Sequence, residues 1–318
     1  MATPAATASV LTTDSSSASN SFADTLLGVT VGFRGKFYGD LYLSDRYDGQ
    51  PFDATDESTV VTLATAAGIA IENAHLFLQA RESAEHFQRM LLPTLPDLHP
   101  FEAAAIYRPA AEPSTLGGDW YDAVPLPDDA VGVIVGDVVG HDLRAAAAMA
   151  AARNMLRALL FDRRTPPSAV LTQLDHTVVA ITDIPVTTVC LARIEPQESG
   201  WGLRRSSAGH FPPLLITRDH RAEYLHAEPG LPLGVDPEQP RSDHVCSLPS
   251  GGIVVFFTDG LVERPTQTVD QGLDALADLA LTHADQSLDA FVQSLADNLP
   301  SDGHDDMTIL ALRIPACV

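Results

Sequence analysis

Residues 116–155 read LGGDWYDAVPLPDDAVGVIVGDVVGHDLRAAAAMAAARNM, and this stretch decides the fold. Two aspartates, Asp119 and Asp137, each follow a glycine, and an alanine-rich segment comes directly after. The apolar run 130–135 predicts a buried strand that ends at Asp137. Gly136 and Gly140 flank that aspartate, so the backbone can turn sharply and admit a close neighbour. Asp142 stands where an N-cap is expected, ahead of a helix over residues 143–160. A carboxylate at the end of a buried strand is costly unless something binds it, and a divalent cation is the natural candidate.

Two later segments repeat the pattern. The run IVVFFT (253–258) ends in Asp259 and Gly260, and HDDMTILALRI sets Asp305 and Asp306 directly before a strand-like run. No Cys/His ligand spacing accompanies them, and an all-oxygen donor set suits magnesium or manganese. Each aspartate alone would pass as a turn or helix cap. Capping does not explain why aspartates stand at the ends of three separate apolar strands.

Six segments, in order, carry a resemblance. They are GGDWYD (117–122), GDVVGHD (136–142), SAGHFPPLLI (207–216), GLPLGV (230–235), FFTDGLVE (256–263) and DDMT (305–308). Together they resemble the metal-dependent serine/threonine phosphatases of the PPM family, in the bacterial branch typified by SpoIIE and RsbU. The likeness extends over residues 96–315, about two-thirds of the chain. It implies an α+β fold, an α-β-β-α sandwich of two antiparallel sheets with helices outside and a two-metal site at one end.

Carried over by position, the resemblance makes Asp137 a bridge between two Mn2+ or Mg2+ ions, with the backbone carbonyl of Val138 on one of them. Asp259 and Asp305 complete the coordination, and Asp119 supports the site directly or through water. Asp306 and His141 fall behind these ligands. The implied reaction is hydrolysis of phosphoserine or phosphothreonine by a two-metal-activated hydroxide. No cysteine nucleophile is needed, and Cys190, Cys246 and Cys317 stand in no CxxC context. One departure stands out: where the branch commonly has GHG or GKG, this chain has GHD, with Asp142 able to cap the helix. His141 and His210 read as turn residues.

The chain has 318 residues and a formal charge of −23, from 19 Lys and Arg against 42 Asp and Glu. Such a surface repels nucleic acid and anionic membranes. No apolar run approaches the roughly 20 residues that span a bilayer, and residues 1–20 lack the basic and apolar regions of a secretory signal. A cytoplasmic protein is expected. Residues 1–21, rich in Ala, Ser and Thr, are expected to be disordered.

Two strands, 26–33 and 37–44, and a helix capped by Asp56 then resemble the C-terminal half of a GAF domain, assigned to residues 22–80. The first half of that fold is missing, so packing or dimerisation is expected of it before ligand sensing. The helix is expected to continue as a linker over residues 81–95 until Pro93 and Pro96 stop it. Its apolar stripe drifts and takes in Arg81, Glu85 and Gln88, short of a regular heptad, yet it is a candidate for pairing in a homodimer. The phosphatase domain takes residues 96–318. In it, a helix is expected over 168–181, strands over 186–194, 203–207 and 214–217, and amphipathic helices over 270–281 and 287–299. Hairpin turns are expected at residues 198–200 and 208–210.

The substrate implied by the branch is a phosphorylated regulatory protein, a STAS-type anti-sigma-factor antagonist supplied by a separate chain. The alternative is a non-catalytic binding module on the same fold. The presence of Asp119, Asp137, Asp259 and Asp305 speaks against it.

Overall fold

The computed structural model describes residues 8–12, 25–44, 46–110, 117–140, 142–162, 165–181, 184–198, 200–228, 230–265, 267–299 and 305–316. The chain divides into two units, residues 1–82 and 83–318.

In the first unit, β1 (Ala8–Thr12), β2 (Thr25–Phe33) and β3 (Lys36–Leu43) form an antiparallel sheet in the order β1-β2-β3. Residues 8–12 lie inside the segment expected to be disordered, yet they pair with β2 from Ala8↔Val29 to Thr12↔Thr25. Helix α1 (Ala54–Leu91) begins in this unit and is 38 residues long, about 57 Å at 1.5 Å per residue. Its N-cap is Asp53, not Asp56 as the sequence suggested. Asp53 Oδ1 accepts from the N–H groups of Thr55 (2.7 Å) and Asp56 (3.0 Å), and Asp56 Oδ2 accepts in return from Asp53 N (3.0 Å). That reciprocal pair is a capping box with an aspartate at its third position.

By length and composition, Ala54–Ala80 is apolar enough to cross a bilayer, contrary to the expectation from the sequence. Alanine supplies much of that character, and one face is packed on the sheet. Val60 and Ala64 are buried against Leu27 and Val29, and Glu72 pairs with Lys36 Nζ at 2.8 Å.

The second unit is the sandwich. One sheet runs β11-β8-β7-β6-β5 and the other β10-β9-β12-β13-β4, all neighbours antiparallel. The first is built from β5 (Trp120–Pro125), β6 (Val131–Val138), β7 (Thr187–Gln197), β8 (Gly200–Ala208) and β11 (His244–Leu248). The second is built from β4 (Glu102–Arg108), β9 (Leu214–Ile216), β10 (Ala222–Tyr224), β12 (Ile253–Phe257) and β13 (Met307–Arg313).

Alternation along the strands separates three apolar layers. Val131, Val133 and Val135 of β6 meet Val254, Phe256, Leu310 and Leu312 between the sheets. Ile134 and Val138 face the other way, onto α2 (Leu143–Asp162) and α3 (Pro167–Ile181). On the far side Val255, Phe257 and Ile309 pack under α4 (Val269–His283) and α5 (Leu288–Asn298). This is the α-β-β-α sandwich.

The predicted N-cap of α2 is present: Asp142 Oδ1 accepts from Arg144 N and Ala145 N, both at 2.9 Å. The GHD departure therefore costs the fold no cap. Residues 208–210, however, do not close a hairpin. β8 belongs to one sheet and β9 to the other, so this turn carries the chain across the sandwich. Gly209, at φ +72°, makes the turn, and an added Cβ there would lie 2.7 Å from Pro232.

Candidate metal centre

The layer between the sheets ends in carboxylates. Because Val131, Val133, Val135 and Asp137 share one face of β6, Asp137 continues the apolar row at its last position. Asp119 precedes β5, which pairs with β6 from Trp120↔Gly136 onward. Asp259 opens a single 3-10 turn, Asp259–Leu261, directly after β12. One carboxylate oxygen from each of Asp119, Asp137 and Asp259 lies within 4.8 Å of the other two. The adjacent strands β5 and β6 and the sequence-distant β12 of the other sheet thus bring their aspartates to one point.

Glycines permit the approach. A Cβ on Gly118 would lie 2.0 Å from the Val138 carbonyl oxygen, and one on Gly117 would fall 0.8 Å from Asp306 Oδ2. Val138 N donates to Gly118 O at 3.2 Å, which draws the GGDWYD segment onto the end of β6. The second aspartate of that motif has another role. Asp122 lies on the α2 side, 3.6 Å from Arg157 Nη1, and belongs to the helix packing.

Hydrogen bonds hold the carboxylates from the second sheet. Thr258 Oγ1 donates to Asp119 Oδ2 at 2.5 Å and accepts from Thr308 N at 2.9 Å. Asp259 Oδ1 accepts from Gly260 N at 2.9 Å. Asp306 is buried, and its Oδ1 accepts from Ala110 N at 2.9 Å. Asp305 is exposed and lies outside the group of three, with Oδ1 accepting from Asp306 N at 2.9 Å. Its charge still acts on the site, as the protonation equilibria show. His141 lies outside the described residues.

These carboxylates repel one another. Burial, and then the charges of Asp259, Asp305 and Asp306, push Asp137 up to about 8. Burial, then Asp305 and Glu263, push Asp259 up to about 6. Asp119 is held well above the usual carboxylate range by burial and by Asp137, Asp259 and Asp306, with Thr258 partly offsetting the rise. An all-oxygen set of clustered carboxylates under mutual repulsion fits a hard divalent cation, whose attraction outweighs that repulsion and favours the ionised carboxylates. Beside it an open cleft of about 340 Å³ is lined by Asp305, Gly260, Glu263, Arg264 and Gln267.

The family model for stage II sporulation protein E, SpoIIE, matches residues 127–315. The chain belongs to the SpoIIE family. It is 26% identical over 238 residues to the phosphoserine phosphatase RsbU of Bacillus subtilis (strain 168), covering 73% of this chain and 69% of RsbU. Among solved structures it is similar to the RsbU and RsbW domains of Rv1364c from Mycobacterium tuberculosis. That match has 31% identity and a TM-score of 0.60, over 69% of this chain and 61% of that one. The PP2C phosphatase domain of SpoIIE from Bacillus subtilis shares the fold at 18% identity and a TM-score of 0.56, over 69% of this chain and 65% of that one. The SpoIIE-family chain is thus a protein serine/threonine phosphatase of the RsbU/SpoIIE type; PP2C-type phosphatases use divalent metal ions, and this chain holds an acidic cluster. The family match begins C-terminal to the segment likened to a GAF domain.

Proposed function

We propose that this chain hydrolyses phosphoserine or phosphothreonine on a separate regulatory protein, of STAS type, at a centre for two Mn2+ or Mg2+ ions. Asp119, Asp137, Asp259, Asp305 and the Val138 carbonyl would hold them. The observation that carries this reading is the convergence of three carboxylate oxygens within 4.8 Å of one another at the end of the inter-sheet layer. When bound, a divalent pair supplies Lewis-acid activation of water and neutralises charge on the phosphoryl oxygens.

The chain's own residues do the rest. Thr258 fixes the orientation of Asp119 through its hydroxyl, and Gly260 N–H does the same for Asp259. Asp306 ties the start of β13 to Ala110, which keeps Asp305 at the rim of the cleft. Arg264, on the wall of that cleft, offers a cation to an incoming phosphoprotein otherwise facing an acidic surface. Leu63, Leu76, Phe77 and Leu78 are exposed on α1, and homodimerisation through this helix and the segment before it is part of the proposal. A monomer in sedimentation at tens of micromolar would remove that part. A cytoplasmic location completes it, in keeping with the free, buried thiol of Cys190.

The decisive test measures phosphate release from a phosphoserine STAS-domain protein in the presence of Mn2+, with the intact chain and with Asp259→Asn. Metal-dependent release that is lost in the variant is the expected result. Mn2+ binding without release would point to another phosphoprotein. Absence of both would leave a binding module.

A further inference from the structure

His210 sits in the turn that crosses between the sheets, and it is only 8% exposed. Its ring joins the two halves of the sandwich. Nδ1 lies 2.9 Å from Thr188 Oγ1 on β7, and Nε2 lies 3.0 Å from the carbonyl oxygen of Phe257 on β12. A carbonyl can only accept, so Nε2 carries the proton and the bare Nδ1 accepts from the Thr188 hydroxyl. The turn itself is fixed. Ser207 Oγ donates to His210 O at 2.9 Å and accepts from His210 N at 3.0 Å.

Both partners of the ring stand beside the acidic cluster. Thr188 is the cross-strand partner of Asp137. Phe257 is the last residue of β12; Thr258, which bonds Asp119, and then Asp259 follow it. The ring therefore spans from β7, the strand paired with β6 and its Asp137, to the strand end that Asp259 follows. Most of the layer between the sheets is apolar and sets a spacing but no register. Further polar links across it are Thr258 Oγ1 to Asp119 Oδ2 and the Arg205 guanidinium to the carbonyls of Leu225 and His226. Burial pushes the imidazole down to about 4, so it keeps the neutral form that this bonding pattern requires. No histidine belongs to the group of three aspartates among the described residues, so His210 is placed to act on the ligands without being one.

We propose that His210 is a positioning residue for the divalent centre: as a neutral Nε2–H imidazole it sets the spacing and register of Asp137 against Asp259. This inference rests on the metal reading above. Groups hydrogen-bonded directly to metal ligands change affinity by about 10- to 100-fold when removed, and His210, one contact further out, falls at the lower end of that range.

The test is calorimetric titration of the full chain with Mn2+, alongside melting of each metal-free variant. Wild type is expected to bind and Asp137→Asn to lose binding. His210→Ala is expected to bind about tenfold or more weakly. His210→Gln keeps an N–H for the Phe257 carbonyl and is expected to recover most of the loss. Leu295→Ala removes a buried side chain under the other sheet and controls for stability alone. It is expected to melt lower with Mn2+ affinity unchanged. Should His210→Ala not fold, Thr188→Val removes one arm of the bridge, and a weakening of about threefold carries the same conclusion. Wild-type binding with His210→Ala (or, in its place, Thr188→Val) within twofold of it overturns the proposal alone. A wild type that binds no Mn2+ overturns it together with the metal reading.

Discussion

Two buried aspartates of the sandwich invite comparison. Asp175, on α3, is fully buried, and each of its oxygens is answered from within the chain. Gly234 N donates to Oδ1 at 2.8 Å, and the nearly buried guanidinium of Arg241 pairs with Oδ2 while also donating to Leu231 O at 2.9 Å. Asp119 is buried to the same degree, yet the neighbours that act on it are a threonine hydroxyl and three more carboxylates. The same side chain at the same depth thus has two meanings. Where the chain supplies its own cation, the carboxylate is part of the architecture. Where it assembles further anions instead, the charge is left for something outside the chain to complete.

The strongest way to break this contrast is at the acidic end. Asp259→Asn is expected to lower phosphate release by about 10³-fold, equivalent to about 4 kcal/mol of transition-state stabilisation. In the metal-free protein the same change should leave melting unchanged or raised, because it removes repulsion. Lower melting together with retained turnover would erase the distinction between the two aspartates.

Arg241→Met is the reciprocal experiment. It leaves Asp175 as an unpaired buried charge and is expected to destabilise the fold by about 3 kcal/mol in denaturant unfolding. Mn2+ affinity should barely move.

The pH dependence separates the two further. Asp137 and Asp259 bind protons more tightly folded than unfolded, at about 8 and about 6 against a usual 3.8. Their contribution to stability is therefore greatest below about pH 4 and is lost as pH rises through 6 to 8. The metal-free chain is expected to melt progressively lower from pH 5 to pH 8.5. Saturating Mn2+ or Mg2+ should flatten that slope, because the cation replaces the protons. A slope unaffected by metal would mean that the ions bind elsewhere.

The smallest effect is expected from Thr258→Val. It removes the donor to Asp119 and the acceptor for Thr308 N, for a loss of about 1–2 kcal/mol. A matching loss of Mn2+ affinity would sharpen the view that this hydroxyl orients a ligand.

Much of this was legible in the chain. The run before Asp137, the Asp142 cap and the helices after it all appear where hydrophobic period and cap chemistry put them, because those signals are local. Asp137 and Asp259 could be singled out for the same reason, since each closes an apolar run that its own sequence announces; Asp119 stood out only by its glycines and motif, and the strand after it, β5, came from the fold. Their meeting within 4.8 Å depends on sheet pairing, which resemblance supplied and spacing could not. The turn at residues 208–210 was misread because a glycine turn between two strands looks the same whether it closes a hairpin or crosses to the other sheet. His210, read as a turn residue, does stand in that turn, and its burial between the sheets is the signal that only the fold reveals. The short strands β4, β10 and β11 carry little alternation of their own, and Asp53 lost to Asp56 because either aspartate satisfies the capping pattern. Arg241 gave no local signal either, since its partner stands 66 residues away.

The row Val131, Val133, Val135, Asp137 carries a consequence for how this domain can vary. Each apolar member can exchange for another of similar volume while Asp137 keeps its direction. A residue inserted or deleted between Val131 and Val135 is another matter, because it reverses the face of everything after it. Asp137 would then turn from the inter-sheet layer toward α2, with its neighbours' chemistry intact and its own position lost. Along β6, variation in side chains is tolerable and variation in count is not.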